Sequence, residues 1–331
     1  MLTPFFDGIK RVGRAPAILA GVWLLTVAVS LPLALALRTM LEQHLGSSMA
    51  ADTALGGVNY DWWQEFSEQA TGLGTTFRPT IIGFGAVLDN LSAFVDNERR
   101  PTVVVGAAAA YVVLWIFLAG GIIDRYARDR ATRSHGFFGA SGTYFFRFLR
   151  LAVVMWIVYA FLFGAVHGWM FDRLYGALTR NLNVERTAFF ERVVLYVVFG
   201  ILLAGCNLIF DYAKVRAVVE DRRSMLGAII AALRFVGQNL ASTSILYAAD
   251  VLLFLGAVAA YWLLAAGAGS GGLWIWIGLA VGQLYVLARL WVKLVFWASE
   301  TALFQARLAH AGYVARSEPR WPESPTAEAI S

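Results

Sequence analysis

Six stretches of this sequence run for about 20 residues with almost no charge, and nothing else limits the fold as strongly. They lie at roughly 15–37, 102–123, 149–169, 192–210, 242–265 and 273–298. At about 1.5 Å of rise per residue, each can cross a hydrocarbon layer about 30 Å thick. Runs of this length and hydropathy read as spanning helices. The expected fold is therefore all-α, a polytopic integral membrane protein with six transmembrane helices. Composition agrees: 59% of residues are hydrophobic and 15% charged, where a soluble domain has about half and a quarter. A soluble enzyme, a disordered chain and a disulfide scaffold are excluded.

Pro32 sits inside the first run, where it kinks a helix without preventing insertion. That run follows Lys10, Arg11 and Arg14 and ends near Ala34–Ala36, as a signal peptide does. Its apolar stretch is longer than the 7–15 or so residues of a cleavable core, so it reads as a retained anchor. The shorter run 81–95 contains Asp89 and reads as an interfacial or re-entrant segment.

Orientation follows from the basic residues. Lys10–Arg14, segment 124–150 and segment 211–240 are rich in Arg and Lys and share one side if six spans are right. The positive-inside rule makes that side cytoplasmic, in a bacterial inner membrane, with both termini inside. Segment 38–101 is net acidic and becomes an external insertion in a membrane domain covering 1–313. The polar tail 314–331 reads as disordered. The net charge of +5 serves topology here, and no base-stacking or basic-groove motif points to nucleic acid. The single cysteine, Cys206, reads as a small apolar residue.

Two patterns recur. An acid, an alanine and a base follow each even-numbered span: Asp124 with Ala127, Asp211 with Ala213, and Glu300 with Ala302 and Arg307. Before each odd-numbered span comes a short apolar stretch closing on a base: Phe5–Lys10, Phe137–Arg147 and Met225–Arg234. Each reads as an interfacial elbow helix whose base meets lipid headgroups. The chain then becomes three repeats of elbow, span, loop and span, and repeats of this kind build ligand sites at their interfaces.

Segment 211–223 continues the fourth span as an amphipathic helix. Lys214, Arg216, Glu220 and Asp221 either dock a membrane or cytoplasmic protein partner or form a solvated charged face. The stretch 211–235 (DYAKVRAVVEDRRSMLGAIIAALRF) resembles bacterial six-span membrane proteins of uncharacterised function. These are loosely similar to the membrane domain ahead of some glycerophosphodiester phosphodiesterases. The resemblance covers about residues 102–300. It implies interfacial helices before spans and a charged helix after the fourth, and carries over no catalytic residue.

Ionisable groups within spans are functional candidates by default. Asp250 in the fifth span is expected to meet Arg289 or Lys293 in the sixth, with Gln283 nearby. Such a cluster is either an ion pair that sets helix register or part of a substrate or ion path. His44, His135, His167 and His310 are scattered, with no metal-binding spacing, and no catalytic or cofactor motif is present. Tyr60, Trp62, Trp63 and Phe66 form an external aromatic group suited either to a headgroup belt or to a protein contact. Two functions follow. One is a non-enzymatic scaffold or accessory subunit of an envelope or transport system, contacting the bilayer and a protein partner. The alternative is a permease for a small or lipidic substrate, with Asp250, Gln283 and Arg289 in its cavity.

Overall fold

The computed structural model describes residues 2–46, 48, 59–78, 83–265 and 272–307. All regular structure among them is helical. In chain order the helices are α1 (Thr3–Gly13), α2 (Pro16–Gly46), α3 (Tyr60–Gln69), α4 (Phe84–Val95) and α5 (Thr102–Arg128). Then come α6 (Ser134–Thr179), α7 (Glu185–Val219), α8 (Met225–Gln238), α9 (Leu240–Leu264) and α10 (Leu273–Arg307). Six of them, α2, α5, α6, α7, α9 and α10, are long and apolar enough to cross a membrane. The tail 314–331, His310 and residues 266–271 of the last turn lie outside the described residues.

The helices outrun their apolar stretches. Helix α2 continues through Pro32 to Gly46, and α6 extends at both ends of the third run. Near its far end α6 widens into two π-type turns, Leu162–Val166 and Trp169–Leu174. His167 lies between them and bonds the Val95 carbonyl at 2.8 Å, which ties α6 to the end of α4. Helix α4 has 12 residues, too few to cross, which suits the short run expected there.

Two of the three elbows are separate helices, α1 and α8. The second is not: Ser134–Phe161 is one uninterrupted helix. The breakers explain the difference. Pro16 follows α1 and starts α2, and Asn239 leaves helical geometry between α8 and α9. Residues 137–149 contain neither a proline nor such a break.

The core sits at the basic end of the bundle. There the last turns of α5, α7 and α10 contact one another. Each also carries an elbow: α1 packs on α10, the start of α6 on α5, and α8 on α7. Small residues allow the approach. A Cβ on Gly8 would lie 2.7 Å from the Ser299 backbone nitrogen, and one on Gly121 would lie 2.5 Å from Ser141 Oγ. In lipid the hydrophobic effect does not drive helices together, so close van der Waals packing and polar contacts carry association.

Those polar contacts link the first two elbows to other exit helices. Arg11 reaches the Tyr126 carbonyl and Gln305 Oε1, each at 2.8 Å. Arg14 pairs with Asp129 at 2.8 Å and Arg147 with Asp221 at 2.6 Å. Asp129 and Asp221 both adopt left-handed backbone just past the ends of α5 and α7, with φ of 47° and 49°. That conformation is how helices commonly terminate, and Asp tolerates it.

Toward the other end the spans separate and turn apolar side chains outward. Trp156, Leu252, Leu263 and Trp276 are exposed, as a bilayer allows and water does not. Helix α2 buries only Val22 and is held by polar contacts: Trp23 Nε1 donates to Gln283 Oε1 at 3.0 Å, and Thr26 bonds Tyr111 at 3.0 Å.

Candidate functional site

A cavity of about 730 Å³ opens among α5, α6, α7, α9 and α10, next to the buried basic end. Its walls are largely apolar and aromatic, with Trp115, Met155, Trp156 and Phe254 among them. Helix α6 lines it from Phe148 to Tyr159 and includes the highly exposed Trp156, so the cavity opens sideways to the surface of the bundle there.

Its floor is charged. Asp211 accepts from Lys214 at 2.6 Å, from Asn207 at 2.9 Å and from Trp297 Nε1 at 3.3 Å. That set neutralises Lys214 and uses both carboxylate oxygens. Arg289 and Lys293 also line the cavity, one helical turn apart on α10. Neither has a carboxylate within ion-pair distance among the described residues. Lys293 instead lies over the Trp115 ring, with Nζ 3.5 Å from its centre, and 5.6 Å from that of Trp297. The two indoles pack edge to face at 5.5 Å. Aromatic faces stabilise a cation without cancelling its charge. The charged lining is three cations against one carboxylate.

The expected cluster therefore divides. Arg289 and Lys293 meet in the cavity, while Gln283 is bonded to Trp23 on α2. Asp250 does not pair with either cation: its Oδ2 accepts from Ser299 Oγ at 2.8 Å. Helix rotation is the cause. Tyr261 stacks on Tyr285 and Tyr247 meets Phe296, which sets Asp250 at about the level of Lys293, but Lys293 turns to the cavity and Asp250 turns to Ser299.

The charged residues of 211–223 are engaged within the chain. Arg216 bonds Glu220 and the Ala231 carbonyl, each at 2.8 Å, Arg222 also bonds Glu220, and Asp221 holds Arg147. Between them Tyr212, Ala213, Val215, Ala217 and Val218 are buried against neighbouring helices, so this is a packed helix end and not a free face. A smaller cleft of about 340 Å³ beside α8 is bordered by Arg216, Arg222 and Arg234.

The Trp62–Phe66 aromatics fold inward as well. Asn59 caps α3, and Trp62 and Phe66 pack around His44 at the end of α2, with Phe77 beside them. Trp62 Nε1 donates to His44 Nδ1, and Trp63 Nε1 to the Phe77 carbonyl, each at 3.0 Å. Tyr60 stays exposed. No group of metal-binding side chains forms among the described residues.

Glu300 is fully buried, and neither of its carboxylate oxygens finds a hydrogen-bond partner among the described residues. It differs from the other two exit acids: Asp124 bridges Arg128 at 2.9 Å and Asp211 bridges Lys214. The exit pattern marked Glu300 in the sequence, whereas Trp115 and Trp297 carried no signal, being ordinary members of long apolar runs; Asn207 was missed although a polar amide within such a run is itself a signal.

No family model, no curated protein and no solved structure matches this chain.

Proposed function

We propose that this is a membrane protein that takes a lipidic substrate into the cavity between α5, α6, α7, α9 and α10 and carries or presents it within the bilayer. One observation carries the reading: an apolar cavity with a side opening among the spans and two cations, Arg289 and Lys293, that no carboxylate of the described chain neutralises. Pockets of a few hundred cubic ångströms, apolar with a few convergent polar groups, are where small ligands bind. An ionisable side chain within a membrane span is retained where a ligand or path needs it.

The scaffold reading has less support. Both surfaces it relied on, 211–223 and the Tyr60–Phe66 group, are largely spent on internal contacts. The rest of the proposal follows the basic residues: a bacterial inner membrane, both termini cytoplasmic, and the cavity in the inner half. The cyclic packing of elbows on exit helices supports three related units, with the site where they meet.

The test is native mass spectrometry of the protein drawn gently from its own membranes, compared with Ala152→Trp, which fills the cavity wall. A lipid-sized adduct on the wild type that is lost in the variant is the expected result. An adduct retained at equal occupancy by the variant overturns the proposal.

A further inference from the structure

We propose that Arg289 and Lys293 recognise the phosphomonoester head of a single amphiphile, whose chain lies along the Trp115, Met155 and Trp156 wall. This rests on the lipidic-substrate reading above and narrows it to one head chemistry.

Charge arithmetic comes first. Lys214 is matched by Asp211, so the floor keeps two basic side chains without a carboxylate partner among the described residues, Arg289 and Lys293. In a low-dielectric cavity an uncompensated charge is costly, and two on successive turns of one helix repel each other as well. A ligand with two negative charges cancels both. A phosphomonoester carries about −1.5 to −2 at neutral pH, whereas a carboxylate or a phosphodiester carries only about −1.

Geometry comes second. Arg289 presents a planar fork suited to two phosphate oxygens, and Lys293 presents a point charge for a third. Lys293 is held in place: the Trp115 ring lies beneath its ammonium, and Trp297, which fixes Asp211, stands beside it. The recognition pair is thus built on one rigid helix and backed by two packed indoles. The walls beyond the floor are apolar, which is why the ligand is an amphiphile and not the free anion.

The experiment uses the full-length protein in detergent-free discs of neutral lipid. It measures binding of three lysolipids of equal chain length: lysophosphatidic acid, lysophosphatidylglycerol and lysophosphatidylcholine. Inorganic phosphate is added as a competitor. Lysophosphatidic acid is expected to bind at least about tenfold more tightly than the other two. Arg289→Gln and Lys293→Met each remove that preference, and Lys293→Arg retains it. In the wild type, affinity for lysophosphatidic acid falls as the pH drops below about 6, where the head loses its second charge, and that for lysophosphatidylglycerol does not. This pH arm needs no variant to fold.

Equal binding of all three lysolipids overturns the inference and leaves the lipidic cavity standing. Inorganic phosphate competing as strongly as the amphiphile also overturns it, because the site then recognises a free anion. No lysolipid binding that Ala152→Trp abolishes overturns both readings.

Discussion

Lys293 lies with its ammonium 3.5 Å from the centre of the Trp115 ring, across the floor of a cavity where its expected partner, Asp250, is absent. The two residues sit on neighbouring antiparallel helices at similar distances from the basic end, yet they serve different surroundings. Lys293 faces the cavity with Arg289, whereas Asp250 faces the α9–α10 seam. An intramembrane charge is a reliable marker of an important place, but its partner is decided by helix rotation and register.

Ser299→Ala is expected to destabilise the protein without touching the cavity. The serine hydroxyl donates to buried Asp250, and its loss leaves a carboxylate oxygen without a partner, at a cost of about 1–3 kcal/mol. Thermal unfolding in detergent should show the lower midpoint. Lysolipid binding measured on the same sample should not change.

Gly8→Ala tests the seating of the first elbow. The new methyl would lie 2.7–2.8 Å from Ser299 backbone and side-chain atoms, too close for either helix to stay in place. A loss of about 1–3 kcal/mol is expected, read as a lower unfolding midpoint and as faster hydrogen exchange over α1. Gly21→Ala, where nothing lies within 4 Å, is the matched control and should not lower the midpoint.

Arg147 and Asp221 join the second elbow to the end of α7, and Arg147 also lies over the Tyr144 ring at 5.1 Å. Arg147→Glu should loosen that corner by about 1 kcal/mol. The exchanged pair, Arg147→Glu with Asp221→Arg, should recover part of it, since the charge contact returns while the stacking on Tyr144 does not. A double-mutant cycle on unfolding free energies checks this, and strict additivity of the two single changes would count against a direct contact.

Asp96 gives the end of the molecule away from the basic core a defined acid response. A hydrogen bond from the Tyr196 hydroxyl holds its carboxyl below the usual carboxylate range, with help from Ser92 and the nearby Arg192 and against the partial burial of the site. The folded value is below the unfolded one, so this latch between α4 and α7 stabilises above the ordinary carboxylate pKa. It is lost as pH falls through the lowered folded value. Hydrogen-exchange protection over 92–97, corrected for the intrinsic pH dependence of amide exchange, should therefore fall on acidification. In Tyr196→Phe the change should come at higher pH and be smaller.

Much of the architecture was legible in advance, and the reasons are local. The six runs became six helices because a spanning segment must bond its own backbone, whatever surrounds it. The first and third elbows were legible because Pro16 and Asn239 break the chain beside them. The second elbow was not, because an apolar-plus-Arg pattern looks the same whether the helix pauses or runs on, and 134–161 runs on. The aromatic group around Trp62 was visible as a cluster, but not as one that closes on His44, 18 residues away.

The candidate site divides along the same line. Arg289 and Lys293 stood out because charges inside apolar runs are rare. Trp115 and Trp297 did not, since large apolar side chains are as welcome facing lipid as facing protein, and hydropathy does not tell the two apart. What the sequence by itself determined was length, hydropathy and the positions of charge and of chain breaks, which each helix expresses alone. Only the tertiary structure decided which faces of nearly uniform apolar cylinders meet. That choice rests on register and rotation set by small residues such as Gly8 and Gly121 and by contacts such as Tyr261 on Tyr285. It left Asp250 with Ser299 and gave Lys293 to Trp115.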